Sequence, residues 1–371
     1  MSPRDELALP GPAAPDPPPA GPDTDAIWSD AALAAALLAV DPAGLGGACL
    51  RARPGPARDA WLTLFRGLLP ADAPVRRAPA SLSEDRLLGG LDLAATLSAH
   101  RPVWSPGLLA EADGGAVILP MAERASAGLV AQLGAALDTG EARAERDGAG
   151  RVDPARFACI ALDEGAEPDE AAAPALTDRL AFSLDLSALP RAAVPEEPLT
   201  DAPATVAEIE EARARLADLP ACDELAEALT RAAEALGVAG LRAPLLALRC
   251  ARAAAALLGA EAPGEIEAGL AARLVLAPRA TQLPQPPPDA AEVEPDDPPP
   301  PSEPPQDGDA AETEEPERNR DAQLEDRVLE AAAAALPPDL LTRLAVAAAA
   351  RTQVQHAGAG AERKAPTRGR P

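Results

Sequence analysis

A chain of 371 residues with 59 acidic against 33 basic side chains carries a net charge of −26, and 47% of it is hydrophobic. So acidic a chain lacks the basic face that nucleic-acid phosphates require, and an anionic membrane surface would repel it. No apolar run approaches the roughly 20 residues of a membrane span, and the acidic, Pro-rich N-terminus lacks the layout of a secretory signal, so a cytoplasmic location is expected.

Residues 1–25 hold eight prolines and little that could pack, which predicts a disordered leader. Order is expected from Ile27–Trp28, with Ser29 as N-cap of a helix running to Val40. Ala48–Ala52 reads as a short buried strand entering a Gly/Pro turn, followed by a helix near Asp59–Leu69. That order is the scaffold of a nucleotide-binding α/β unit. Further strands are predicted at Ala116–Leu119, Phe157–Leu162 and Leu180–Leu186, and their alternation with helical stretches argues for a mostly parallel sheet covered by helices. From Thr205 the pattern is helical only, at Ala207–Leu216, Cys222–Leu236, Pro244–Leu258 and Glu265–Leu276. Residues 284–317 then hold 12 prolines, 12 acids and no basic side chain, so a solvated, extended linker is expected, with contact to a basic partner face as the sharper alternative. Two more helical stretches, about Gln323–Leu336 and Asp339–Ala350, precede a basic tail with Arg363, Lys364, Arg368 and Arg370.

The expected organisation is therefore a leader (1–25), an α/β P-loop-type domain with a mostly parallel sheet (26–195), a small all-helical lid domain (196–280), an acidic Pro-rich linker (281–320), and a helical segment with a basic tail (321–371). An α/β domain followed by a helical one is the layout of AAA+ ATPases.

A working phosphate loop needs GxxxxGK[ST] between strand and helix, so that backbone N–H groups surround phosphate, Lys reaches the outer oxygens and the hydroxyl holds magnesium. The corresponding stretch is Ala52–Asp59. Ala52 and Ala57 replace both glycines, Pro54 and Pro56 remove two N–H donors, Arg58 stands for the Lys and Asp59 for the hydroxyl. Gly55 and Arg58 are what remains of a degenerate nucleotide site. The acidic pair that should end the next core strand fails too, because Ala116–Leu119 runs into Pro120–Met121. Asp163–Glu164 does follow a strand, one strand later than the expected order. ATP hydrolysis at this chain's own site is not expected. Cys49, Cys159, Cys222 and Cys250 lie far apart with no CxxC pair and read as small buried hydrophobes. With His100 and His356 the only histidines, no metal site is expected.

Several stretches, in order, resemble the D subunit of magnesium chelatase: RARPGPARDAWL at 51–62, EDRLLGGLDLAATL at 84–97, SPGLLAEADGGAVILPMAERAS at 105–126, ARFACIALDEG at 155–165, LTDRLAFSLDL at 176–186, GLRAPLLALRCARAAAALLGA at 240–260 and ARLVLAPR at 272–279. The acidic linker and LPPDLL at 336–341 fit as well. The resemblance implies a non-hydrolysing AAA+ subunit in an ATP-dependent ligase that forms nitrogen–metal bonds. Its implied partners are an I subunit that binds ATP and Mg²⁺ and hydrolyses ATP, in a hetero-oligomeric ring, and an H subunit that binds protoporphyrin IX and receives Mg²⁺ for (bacterio)chlorophyll biosynthesis. The family continues into an integrin-I-like domain opening with DxSxS, a pattern absent here, so a fragment or a truncated product is expected and no metal binding is carried over. Arg179 in LTDRLAF matches the family's arginine finger, which reaches the γ-phosphate of a neighbouring subunit. Arg242 in GLRAPL matches the sensor-2 arginine and is grouped with the degenerate nucleotide site, with a structural job as the favoured alternative because its own subunit lacks a phosphate cradle. Without the resemblance, Arg179 would pair with a nearby carboxylate such as Asp178 or Glu170. The alternative functions are an acidic AAA+-like adaptor outside the chelatase or a ring-forming AAA+ remodelling ATPase.

Overall fold

A computed structural model describes residues 24–284, apart from 102, 147, 148 and 168, together with residues 315–335. Residues 1–23 of the expected leader, 285–314 of the acidic stretch, the helix expected at 339–350 and the basic tail lie outside the described residues.

In chain order the α/β part contains α1 (Thr24–Val40), β1 (Gly47–Arg51), α2 (Pro56–Leu68), β2 (Val75–Arg77), α3 (Glu84–Leu88), β3 (Gly89–Leu91), α4 (Leu93–Ala99), β4 (Trp104–Pro106), α5 (Leu108–Glu111) and β5 (Ala116–Leu119). It continues with α6 (Ala127–Thr139), β6 (Glu141–Arg146), β7 (Ala149–Pro154), β8 (Ala158–Asp163), α7 (Pro174–Thr177) and β9 (Phe182–Asp185). Five strands form one sheet in the order β2-β5-β8-β1-β9, every pairing parallel, so all amino ends share one edge and all carboxyl ends the other. The two hairpins, β3–β4 and β6–β7, stand apart from it.

The apolar strands are buried on both faces because alternate side chains serve two cores. Leu50, Ile118 and Ile160 join α1, α2 and the helical domain, whereas Cys49, Val117 and Cys159 join the α6 side. Helix α1 starts earlier than expected, at Thr24 rather than after Ser29. Its Ala-rich run from Ala34 to Val40 is buried all round, as a helix without a polar face must be.

The helical domain follows as α8 (Val206–Asp218), α9 (Asp223–Ala235), α10 (Arg242–Leu258), α11 (Glu265–Ala271) and, beyond the acidic stretch, α12 (Glu315–Ala334). Thr205 and Glu208 close a capping box at the start of α8. The single helix expected over Glu265–Leu276 is instead α11 followed by a π turn, Ala272–Leu276, whose Arg273 pairs with Asp30 of α1 at 2.9 Å. Helix α12 returns to the lid: Val328 and Ala332 are fully buried against it, and Arg327 pairs with Glu265 at 2.5 Å. Arg213 of α8 donates to the Ala39 carbonyl at 2.8 Å, fastening the lid to α1.

Candidate functional site

Two clefts lie at opposite edges of the sheet. The first, about 480 Å³, is at the carboxyl edge and is lined by Arg51, Ala52, Arg53, Gly55, Asp163 and residues beyond the end of β9. It occupies the place of a nucleotide pocket, between β1 and the N-terminus of α2. Gly55 caps α2 with extended backbone, and a Cβ added there would meet only the Arg53 carbonyl oxygen, at 3.8 Å. No tight approach requires a glycine. The loop N–H of Ala52 is already given to the Asp163 carbonyl at 3.1 Å.

Four of the charged groups around this cleft are bonded in pairs, Arg58 with Glu164 and Arg51 with Asp163, although the buried Arg58 Nε has no hydrogen-bond partner among the described residues. Arg58 donates Nη1 to Glu164 Oε1 at 2.8 Å and lies beside Asp59, 3.7 Å from its Nε. Asp163, 4% exposed, accepts from Arg51 Nη1 at 3.2 Å, from the Gly165 N–H at 3.0 Å and from the Ala172 N–H at 3.3 Å. Arg51 also donates to the carbonyls of Gly165, Glu167 and Glu170. The acid pair ending β8 is thereby spent on the chain's own arginines and backbone. At the end of β5, Pro120 is followed by Met121 in left-handed backbone (φ 50°), and a 3-10 turn then brings Glu123 inward, its carboxylate accepting from the Glu164 N–H at 3.0 Å.

The second cleft, about 380 Å³, lies at the amino edge and is lined by Gly46, Asp138, Arg156, Arg179, Arg242 and Arg249, among others. Arg179 reaches it from the turn before β9. Its Nε and Nη2 donate to Asp138 Oδ2 at 2.9 and 2.6 Å, and its Nη1 donates to the Ala175 carbonyl at 2.6 Å. Arg242, at the start of α10, donates Nη1 to Asp138 Oδ1 at 2.7 Å and pairs through Nε with Asp178 at 3.0 Å. Burial works to raise the Asp138 pKa, but the hydrogen bonds from Arg179 and Arg242 outweigh it and hold the carboxyl below its ordinary value.

Of the residues singled out from sequence, Gly55 lines the first cleft while Arg58, just behind that lining, turns to Glu164, and Arg179 and Arg242 line the second together. Arg242 does not reach the degenerate pocket. Neither Asp178 nor Glu170 is the partner of Arg179; that partner is Asp138, 41 positions away. Sequence reasoning also missed Arg51 and Glu123. Neither carries a motif signal, since each acts through a contact made only when β8 packs beside β1 and β5. Among the described residues, no cluster of three or more potential metal ligands occurs and no helix is long and apolar enough to cross a membrane.

A parallel β2-β5-β8-β1-β9 sheet with a loop and helix after its β1 strand, followed by a helical lid, defines an AAA+-type protein, here with its own phosphate loop dismantled. Residues 226–301 match the AAA lid domain. A solved structure from Cytophaga hutchinsonii shares the fold with a TM-score of 0.51 and 13% identity over 69% of this chain and 86% of its own. Curated relatives carry the comparison further. The magnesium-chelatase 60 kDa subunit of Cereibacter sphaeroides is 43% identical over 93% of this chain and 56% of its own length. The 67 kDa subunit of Chlorobaculum tepidum is 29% identical over 74% and 46%, and the 38 kDa subunit of Rhodobacter capsulatus 32% identical over 55% and 63%. The chain belongs to the family of the magnesium-chelatase 60 and 67 kDa subunits, and it spans about half the length of those curated relatives.

Proposed function

We propose that this chain is a non-hydrolysing AAA+ subunit of a magnesium chelatase. It assembles with an ATP-hydrolysing subunit and couples that subunit's cycle to a porphyrin-binding subunit, where Mg²⁺ enters protoporphyrin IX. The observation that carries this reading is the internal pairing at the first cleft. Arg58, in the place of the phosphate-loop lysine, is committed to Glu164, and Asp163 to Arg51, while two prolines withhold the donors a phosphate needs. These residues do not fit a bound ATP·Mg²⁺, so no step of hydrolysis runs through this chain's own pocket.

The second cleft supports the complementary half. On the neighbour's nucleotide, water forms a bond to the γ-phosphorus as the bond to the β–γ bridging oxygen breaks, giving ADP, phosphate and a proton. Charge spreads over the three remaining γ-oxygens, where an arginine from outside is most effective. Arg179 is the residue proposed for that place, with Arg242 beside it.

Mixing the chain with the cognate ATP-hydrolysing subunit, ATP and Mg²⁺, and measuring particle mass in solution tests this reading. A large mixed assembly that forms only with nucleotide is expected. Two proteins that stay separate while the partner forms its own ring would refute it.

A further inference from the structure

Asp138 occupies the last turn of α6, where the carbonyl end of the helix dipole disfavours a negative side chain. Nothing in the helix accounts for an acid there. Its two oxygens are instead divided between arginines from two different parts of the molecule, Oδ2 to Arg179 of the α/β core and Oδ1 to Arg242 of the lid. Space for this is built in. Gly134 lies one turn earlier on the same face, and a Cβ added there would sit 3.2 Å from Arg179 Nε. On the far side, Arg279 of the lid donates to the carbonyls of Leu180 and Ala181, the residues that directly follow Arg179. The lid thus grips both flanks of the short segment that carries Arg179.

We propose that Asp138 is a positioning residue that locks Arg179 and Arg242 into one two-arginine anion receptor, presented jointly by core and lid to phosphate on a neighbouring subunit. This rests on the reading of Arg179 as acting on that neighbour. A guanidinium has about five N–H donors. Arg179 uses three of its own here and Arg242 two, so donors remain for an incoming oxyanion. Holding the two long side chains in place beforehand removes rotamer entropy that each would otherwise lose on meeting phosphate.

The test is steady-state ATP turnover by the assembly of the full chain with the cognate ATP-hydrolysing subunit, comparing wild type, Asp138→Asn, Asp138→Glu, Arg179→Ala and the Asp138→Asn/Arg179→Ala pair. Asp138→Asn should lower kcat about tenfold with little change in KM, the signature of a misplaced transition-state contact. In the Arg179→Ala background it should add no further loss, and Asp138→Glu should restore part of the turnover. A thermal midpoint close to wild type shows that the variant is folded; should Asp138→Asn fail to fold, Asp138→Glu against Arg179→Ala carries the comparison. Wild-type turnover in the Asp138 variants alongside a damaged Arg179→Ala would overturn the positioning role, as would losses that simply add. An Arg179→Ala assembly that turns over normally would remove the underlying reading and the positioning role with it.

Discussion

Arg58 decides what the first cleft can do, because a lysine-like charge is useful to phosphate only if nothing else claims it. Glu164 claims it at 2.8 Å with both side chains mostly buried. Arg58→Ala should therefore cost about 2 kcal/mol of folding stability, by leaving a mostly buried carboxylate unpaired, without changing any nucleotide-dependent property. Denaturant unfolding measures the first part and ATP titration the second. Asp138 sets a pH dependence of its own. Its folded pKa lies below the ordinary value of 3.8, so its contribution is fully present above that value and is lost as pH falls through the lower, folded one. The stability difference between wild type and Asp138→Asn should stay constant from neutral pH to about pH 5 and shrink only in stronger acid. The thiols offer a third check. Burial pushes Cys49 and Cys159 up to about 12 and raises Cys250 as well, whereas Cys222 is only half-buried. Alkylation of the native chain followed by peptide mass analysis should label Cys222 first.

Elements with one dominant force were legible in the sequence, and elements that depend on distant partners were not. The runs at β1, β5 and β8 are apolar on both faces, so their burial could be read directly, and Ala116–Leu119 matched residue for residue. Strand β2 is Val-Arg-Arg at the sheet edge, half-buried to exposed, and among its described side chains the β6–β7 hairpin buries Ala142 and Ala144; neither element carries an apolar signature. The start of α1 was misplaced because its first turn, Thr24–Ile27, is half-buried to exposed and adds no apolar signal, while Ser29 offers a plausible N-cap further on. Loss of the phosphate loop was legible, since glycine, lysine and hydroxyl are required by type and spacing. What replaced it was not, because Arg51, Arg58, Glu123, Asp163 and Glu164 meet only across neighbouring strands. The docking of α12 on the lid was likewise hidden behind the acidic stretch. Val328 is fully buried there, so Val328→Asp should release α12. Amide exchange would show protection lost across 315–335 and retained in β1 and β8.

At the scale of the whole molecule, the proposed function divides the work of an AAA+ subunit between the two clefts. At the carboxyl edge, where such a protein holds its own nucleotide, Arg58 and Asp163 are taken up by internal ion pairs. The amino edge presents Arg179 and Arg242 on a shared carboxylate, the place from which we propose they serve a neighbouring subunit's nucleotide. Membership of the magnesium-chelatase 60 and 67 kDa family gives that division a setting. On the proposed function, the chain contributes arginines and no hydrolytic site. Steady-state ATP hydrolysis by the purified chain alone, with Mg²⁺, tests this most directly. The expected result is no turnover above buffer, unaltered by Arg58→Ala or Gly55→Ala; magnesium-dependent turnover that disappears in Arg58→Ala would contradict it.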